Sequence, residues 1–399
     1  VLRNRVVLGV ILVIVAVIGV VIVVTHQHGS DVGTARVTAG TTPTTHPAST
    51  TTAAPTTTTT STIPHNPAQD FTLTPVTTIG GPISPKSVTA TGTGLVFAQN
   101  MMYRHTLTVY NADSGALVKT IPDSVDLAQF GISGHPGISR GAPVEAAVDH
   151  VHKYLFTSNY SMYGANFGPE GSDNCSGPSG LSPSYVYRID LKSLAIDGVA
   201  QVGMVPKYLA VTPNDKYILV SNWCSYDLSI LDYKSFSEVK RIHLGAYPRG
   251  IAIDKSSNVA YVAVMGSFDV ARIDLNTFAV QMFEVGNSPR HLVLSPDGSR
   301  LFVTLNGDDR VAEVNTANLQ VIARVATGSQ PRSMAISSDG QALYVVNYAS
   351  NTVSILRASD MSIVRTFPVP DHPIGIAYEP TEHRVWVACY SGEILVYNA

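Results

Sequence analysis

Seven prolines recur at one position of a repeating frame, and the residue after each is the first candidate for chemistry: Lys86, Val144, Lys207, Arg249, Arg290, Arg332 and Ile374. Five of these seven are cationic in a chain whose formal net charge is −3. Cations focused on one spot attract an anion, whether carboxylate, phosphate or acidic sugar, and hold it by charge-assisted hydrogen bonds. The competing reading is that each cation pairs with a neighbouring acid or carbonyl as part of the repeat. Glu145 follows Val144 and puts a carboxylate into the basic set, and His291 follows Arg290. Glu145 is either a general acid or base, its pKa depressed by arginine neighbours, or simply their ion-pair partner.

Other motifs carry less. Gly137-Ile-Ser139-Arg-Gly141 matches G-x-S-x-G, which marks a nucleophile only on a strand–turn–helix elbow. Here it is expected in a long loop ahead of a strand. The Pro-Asp-Gly and Ser-Asp-Gly runs lack the downstream glutamate of a calcium loop and read as turns. His26, His28, His46 and His65 are scattered through a polar tract and read as solvated, so no metal and no cofactor is expected. Three cysteines without a CxxC pair exclude zinc fingers and ferredoxin-type clusters. The acidic sum argues against a nucleic-acid partner, which stays a third reading.

The elements that must position these residues come from an internal period. Frames starting at Pro206, Pro248, Pro289, Pro331 and Pro373 are spaced by 42, 41, 42 and 42 residues. Each frame reads as four short strands, A to D. In the unit from Pro331 these are RSMAIS, ALYVVN, NTVSIL and IVRTFPV, with Asp339-Gly340 turning between the first two. An Asp-Gly pair between alternating apolar runs signals a hairpin, because glycine accepts positive φ at little cost. A period of 40–45 residues with four strands per unit means a propeller blade. Two longer frames start at Pro85 and Pro143, which makes seven. The last, from Pro373, holds strands A to C only, and FTLTPVTTIGG at 71–81 supplies the missing D strand. Closing the ring this way removes open sheet edges.

In a propeller, strand A lines the central channel and the D–A and B–C loops share a face. The basic residues then ring the channel mouth, and the B–C loops add Tyr160, Trp223, Met265, Tyr348 and Tyr390. Aromatic rims suit carbohydrate or peptide stacking, and half-buried packing between blades is the alternative. Cys175, in an insertion expected between Asn159 and Tyr185, and Cys224, in the next B–C loop, fall side by side on this face. In an oxidising compartment they form a disulfide. Cys389 reads as a buried free thiol.

Units such as ALYVVNYASNTVSIL and the P-R-x-x-A-I-x-x-D-G spacing resemble the YVTN-type, YncE-like β-propeller repeat family, over residues 71–399. The resemblance implies the fold without a reaction, because that superfamily includes surface-layer proteins, lactonases and cofactor-bearing oxidoreductase domains. Metal-free lactonases among them use acid, histidine and arginine side chains. Glu145, His291, Arg290 and Arg332 supply those types without a motif-by-motif match.

Ahead of the repeats lie two other regions. Val6–Val24 is an unbroken apolar run, long enough to cross a bilayer as a helix. Arg3 and Arg5 precede it, and no Lys or Arg follows until Arg36, which puts residues 1–24 down as a cytoplasmic N-terminus and retained anchor. A cleaved signal peptide is the alternative. Residues 25–70, rich in Thr and Pro, read as an extended stalk. The expectation is an all-β seven-bladed propeller at 71–399, outside the cell on a single-pass anchor. It would be a binding or scaffold module of the envelope with an anion, glycan or envelope protein as partner. The alternative is a lactonase or other hydrolase acting on an anionic small molecule through Glu145 and His291.

Overall fold

The computed structural model describes residues 71–171, 173–175 and 180–399. The expected membrane helix and stalk lie outside these residues, and among the described ones no helix is long and apolar enough to cross a membrane. The repeat frames fold into seven antiparallel sheets. Each of the last five frames begins its innermost strand on the frame proline: Pro206–Val211, Pro248–Ile253, Pro289–Leu294, Pro331–Ile336 and Pro373–Glu379. Proline suits this place because a first strand residue need not donate to the ladder.

Burial follows the order of strands within a blade. Second strands such as Ala342–Asn347 are buried at every position, since both faces are covered by neighbouring blades. That is why they read as continuous apolar runs. Outermost strands such as Val321–Ala326 and Leu117–Pro122 mostly face solvent. The core therefore sits between blades. Tyr261 and Ala263 of the fourth blade pack with Leu301 and Val303 of the fifth, and Tyr344 and Val353 of the sixth with Val385 and Val387 of the seventh.

The ring closes as the sequence predicts. Thr74–Ile79 is the outer strand of the seventh blade and pairs antiparallel with Glu393–Asn398, with Thr74 opposite Asn398 and Ile79 opposite Ile394. On the next interface Trp386 is fully buried against Val96, Ala98 and Tyr110 of the first blade. The innermost strands approach so closely that a Cβ on Gly375 would lie 2.7 Å from Ser87 Cα, and one on Gly250 2.7 Å from the Arg290 carbonyl oxygen. Hydroxyls tie the strands together: Ser87 donates to the Val144 carbonyl, Ser221 to Arg249 and Ser333 to Ile374, at 2.6–2.7 Å.

Three local expectations change. The second blade has a fifth strand, Ser124–Asp126, paired with the start of a long inner strand, Ile138–Val148. Gly137-Ile-Ser139-Arg-Gly141 therefore runs into a strand rather than a loop, and Ser139 is buried. The second strand of this blade continues to Tyr163, so Tyr160 lies in a strand and the insertion starts after it.

Candidate functional site

The five cations do not sit in the D–A loops, where the sequence frame put them. They are the second residues of inner strands, just past the frame proline. The backbone before the proline explains their aim. For four of the five cations the residues there, Val205, Tyr247, Ser288 and Gln330, adopt left-handed φ between 53° and 64°, uncommon for residues other than glycine, as does His372 ahead of Pro373 and Ile374; Ser84, ahead of Pro85 and Lys86, does not. Each left-handed residue turns its carbonyl to accept the N–H of the residue just past the neighbouring strand: Trp223, Met265, Asn306, Tyr348 and Tyr390, at 2.9–3.1 Å. In blades three to six one backbone device thus fixes a cation and the residue past the second strand of the same blade beside each other.

All five cations line a single cavity of about 840 Å³, together with Tyr160, Trp223, Tyr348 and Tyr390. Lys86, Lys207, Arg249 and Arg290 are buried, and Arg332 is half-buried. Their partners differ. Lys207 is ion-paired with Asp173, its ammonium 4.2 Å from the Tyr160 ring centre and 5.2 Å from that of Trp223. Arg249 lies 4.0 Å from the Glu145 carboxylate. The Arg332 guanidinium stacks 3.4 Å over the Tyr348 ring. Among the described residues Arg290 reaches only the Met265 sulfur, at 3.5 Å. The Lys86 ammonium has no hydrogen-bond partner among the described residues.

Crowding like charges in a buried place moves their protonation. Burial, then Arg249, holds Lys86 well below the ordinary lysine range. Lys207 is brought down to about 7 by burial, although Asp173 opposes the shift. Burial would raise the Asp173 carboxyl, but Lys207 outweighs it and holds the group below the usual carboxylate range. Burial lowers Arg290 and Arg332 as well.

Glu145 and His291 do not join this cavity. They line a separate one of about 250 Å³ with Tyr208, Ser87 and Ser333. His291 Nε2 lies 3.1 Å from the Tyr208 hydroxyl, and burial followed by Arg249 and Arg290 pushes its pKa down to about 3. Burial raises Glu145 against the pull of Lys86 and Arg249, which reverses the depressed pKa expected from its neighbours. Desolvation of the carboxylate exceeds the attraction of the cations. Among the described residues no hydrogen bond joins Glu145 to His291, so the acid–base pair that the hydrolase alternative needs is not assembled.

Cys175 and Cys224 form a disulfide with Cα atoms 5.2 Å apart. It holds Asp173 at the mouth, where the Asp173 carbonyl accepts from Trp223 Nε1 at 3.0 Å and its carboxylate from the Tyr160 hydroxyl at 3.2 Å. Cys389 is a buried free thiol, pushed up to about 12 by burial. Sequence reading missed Asp173 and the first-blade loop with Met101, Met102, Tyr103 and Arg104, all of which line the cavity. Asp173 stands two residues from a bridged cysteine, a signal that places it here. The loop is the B–C connection of the first blade, which the same frame locates.

Comparisons with known proteins support this architecture. The cytochrome D1 heme domain family matches residues 254–392. Antigen Lp49 of Leptospira interrogans is 25% identical over 136 residues, 32% of this chain and 30% of that protein. The chain thus aligns with less than a third of that relative's length. A solved structure of Kuenenia stuttgartiensis hydrazine synthase superposes over 80% of this chain and 97% of its own, with a TM-score of 0.65 at 17% identity. A heme iron is held by His, Cys, Met or Tyr. The described lining has no His or Cys, and burial moves the Tyr160 and Tyr390 phenols away from phenolate. Its two methionines are adjacent on one loop. This donor set does not fit a heme iron. What the likenesses share with this chain is its architecture, a seven-bladed β-propeller.

Proposed function

We propose that the protein is a membrane-anchored, extracytoplasmic propeller of the YVTN type whose channel mouth binds an anionic ligand. The observation that carries this reading is the convergence of the five frame cations, four of them buried, on one cavity that Arg104 also lines. Burying like charges together costs stability, and a structural repeat would not need it without an anion to receive. The separation of Glu145 and His291 from that cavity favours binding over hydrolysis. The apolar run Val6–Val24 behind Arg3 and Arg5 supports the anchor. The Cys175–Cys224 bridge supports an oxidising compartment. The likeness to a Leptospira protein described as an antigen fits a module facing outward.

The test is a panel of carboxylates, phosphates and acidic or neutral glycans titrated against the protein. Arg249→Ala and Arg290→Ala are each expected to weaken an anionic ligand by about 1.5–3 kcal/mol, the range for hydrogen bonds to charged groups. The melting temperature should not fall, and relief of like-charge crowding should raise it for Arg290→Ala. Variants that lose stability and leave binding unchanged would make the cations structural ion-pair members instead.

A further inference from the structure

Resting on the anion-binding reading, we infer that the ligand presents a doubly charged oxyanion, a phosphate monoester or free phosphate, rather than a single carboxylate or a neutral sugar.

The argument starts from which cations are already satisfied. Asp173 takes Lys207, and Glu145 stands beside Arg249. Lys86, Arg290 and Arg332 have no carboxylate partner among the described residues. The Lys86 ammonium and Arg332 Nε are enclosed without any hydrogen bond, and Arg290 has only the weak thioether acceptor of Met265. Glu145 also pulls on Lys86 without pairing with it. Three cations without an ion-pair partner around one space are left largely unanswered by a monoanion. A dianion with three acceptor oxygens answers it, and its oxygens match the donors, since Lys and Arg donate and never accept.

The same inventory disfavours a neutral glycan. Sugar hydroxyls need acceptors as well as donors, and the carboxylate at the mouth, Asp173, is already held by Lys207 and Tyr160. The rest of the wall gives the ligand its other half. Met101, Met102, Ile83 and Trp223 line the same cavity as the cations. A phosphate ester carrying an apolar or aromatic group would fill both sides.

The experiment titrates the full-length protein at constant ionic strength with inorganic phosphate, phenyl phosphate and acetate. Both phosphates are expected to bind at least about tenfold tighter than acetate. Phenyl phosphate stronger than inorganic phosphate identifies a monoester with an apolar group, and equal strength identifies free phosphate. Either supports the shared chemistry. Lys86→Met is expected to lose about tenfold or more in phosphate affinity while melting at a higher temperature, because a buried unpaired cation is removed. Arg332→Gln, at a half-buried place, is expected to weaken phosphate without changing the fold. Acetate binding as tightly as phosphate would overturn the dianion and leave the anion site standing. No binding of any anion would overturn both. A Lys86→Met protein that melts lower and keeps its phosphate affinity would make Lys86 structural and end the proposal.

Discussion

His291 shows what the channel does to a single side chain. Enclosed behind the arginines, it is held neutral down to about pH 3, whereas an unfolded chain would protonate it near 6.5. Between those values the unfolded state binds more protons, so stability falls as the pH drops from about 6.5 toward 3. His291→Gln keeps a comparable size and cannot take the proton. It is expected to flatten the acid limb by up to about 1.4 kcal/mol per pH unit. Urea unfolding at about pH 4 and about pH 7 reads the difference. An unchanged slope would mean that other groups set the acid sensitivity. The cysteines act at the same scale with the opposite sign. Cys175→Ser with Cys224→Ser is expected to cost about 2–4 kcal/mol and to loosen the Asp173–Lys207 pair. Differential scanning calorimetry of the double variant against the parent measures it.

At the scale of elements, the repeat frame made most of the propeller legible. The unit from Pro331 folds with strands at Pro331–Ile336, Ala342–Asn347, Thr352–Arg357 and Ile363–Pro368, close to the boundaries read from period and turn residues. Legibility failed where the period broke. The second blade carries its own pairing, Ser124–Asp126 with residues 138–140 of the long inner strand, and no repeat unit elsewhere offers a template for it. The cations of the mouth were readable because one position repeats seven times. Asp173 lies outside the frame, and only its place two residues from Cys175 of the disulfide points to the mouth. Glu145 and His291 follow the frame's second residue, Val144 and Arg290, but the pleat sends alternate side chains apart, which puts them outside the mouth cavity. Gly375 tests the inner ring itself. Gly375→Ala would bring a Cβ within 2.7 Å of Ser87 backbone, so the seventh and first blades must move apart. A loss of about 1–3 kcal/mol is expected, read as a lower urea midpoint. No loss would mean that the blades slide past each other freely.

For the whole molecule, the proposed anchor sets a test of orientation. Arg3 and Arg5 stand on one side of the apolar run, and the propeller follows on the other. Protease added to intact cells is therefore expected to release the propeller into the medium. Full protection until the cells are lysed would reverse the orientation. A mouth aimed outward would meet its ligand directly, and the weak overall charge leaves long-range attraction to the local cluster of cations.

The seventh blade has one more consequence, in time rather than in space. Its outer strand, Thr74–Ile79, is made long before its partner, Glu393–Asn398. During synthesis the early strand has nothing to pair with until six other blades exist. Contacts between such distant segments form slowly, because a very long loop must close before any of them is rewarded. The last step of folding is then the capture of the first strand by the last, and a chain interrupted before residue 393 keeps an unpaired β-edge open to other chains.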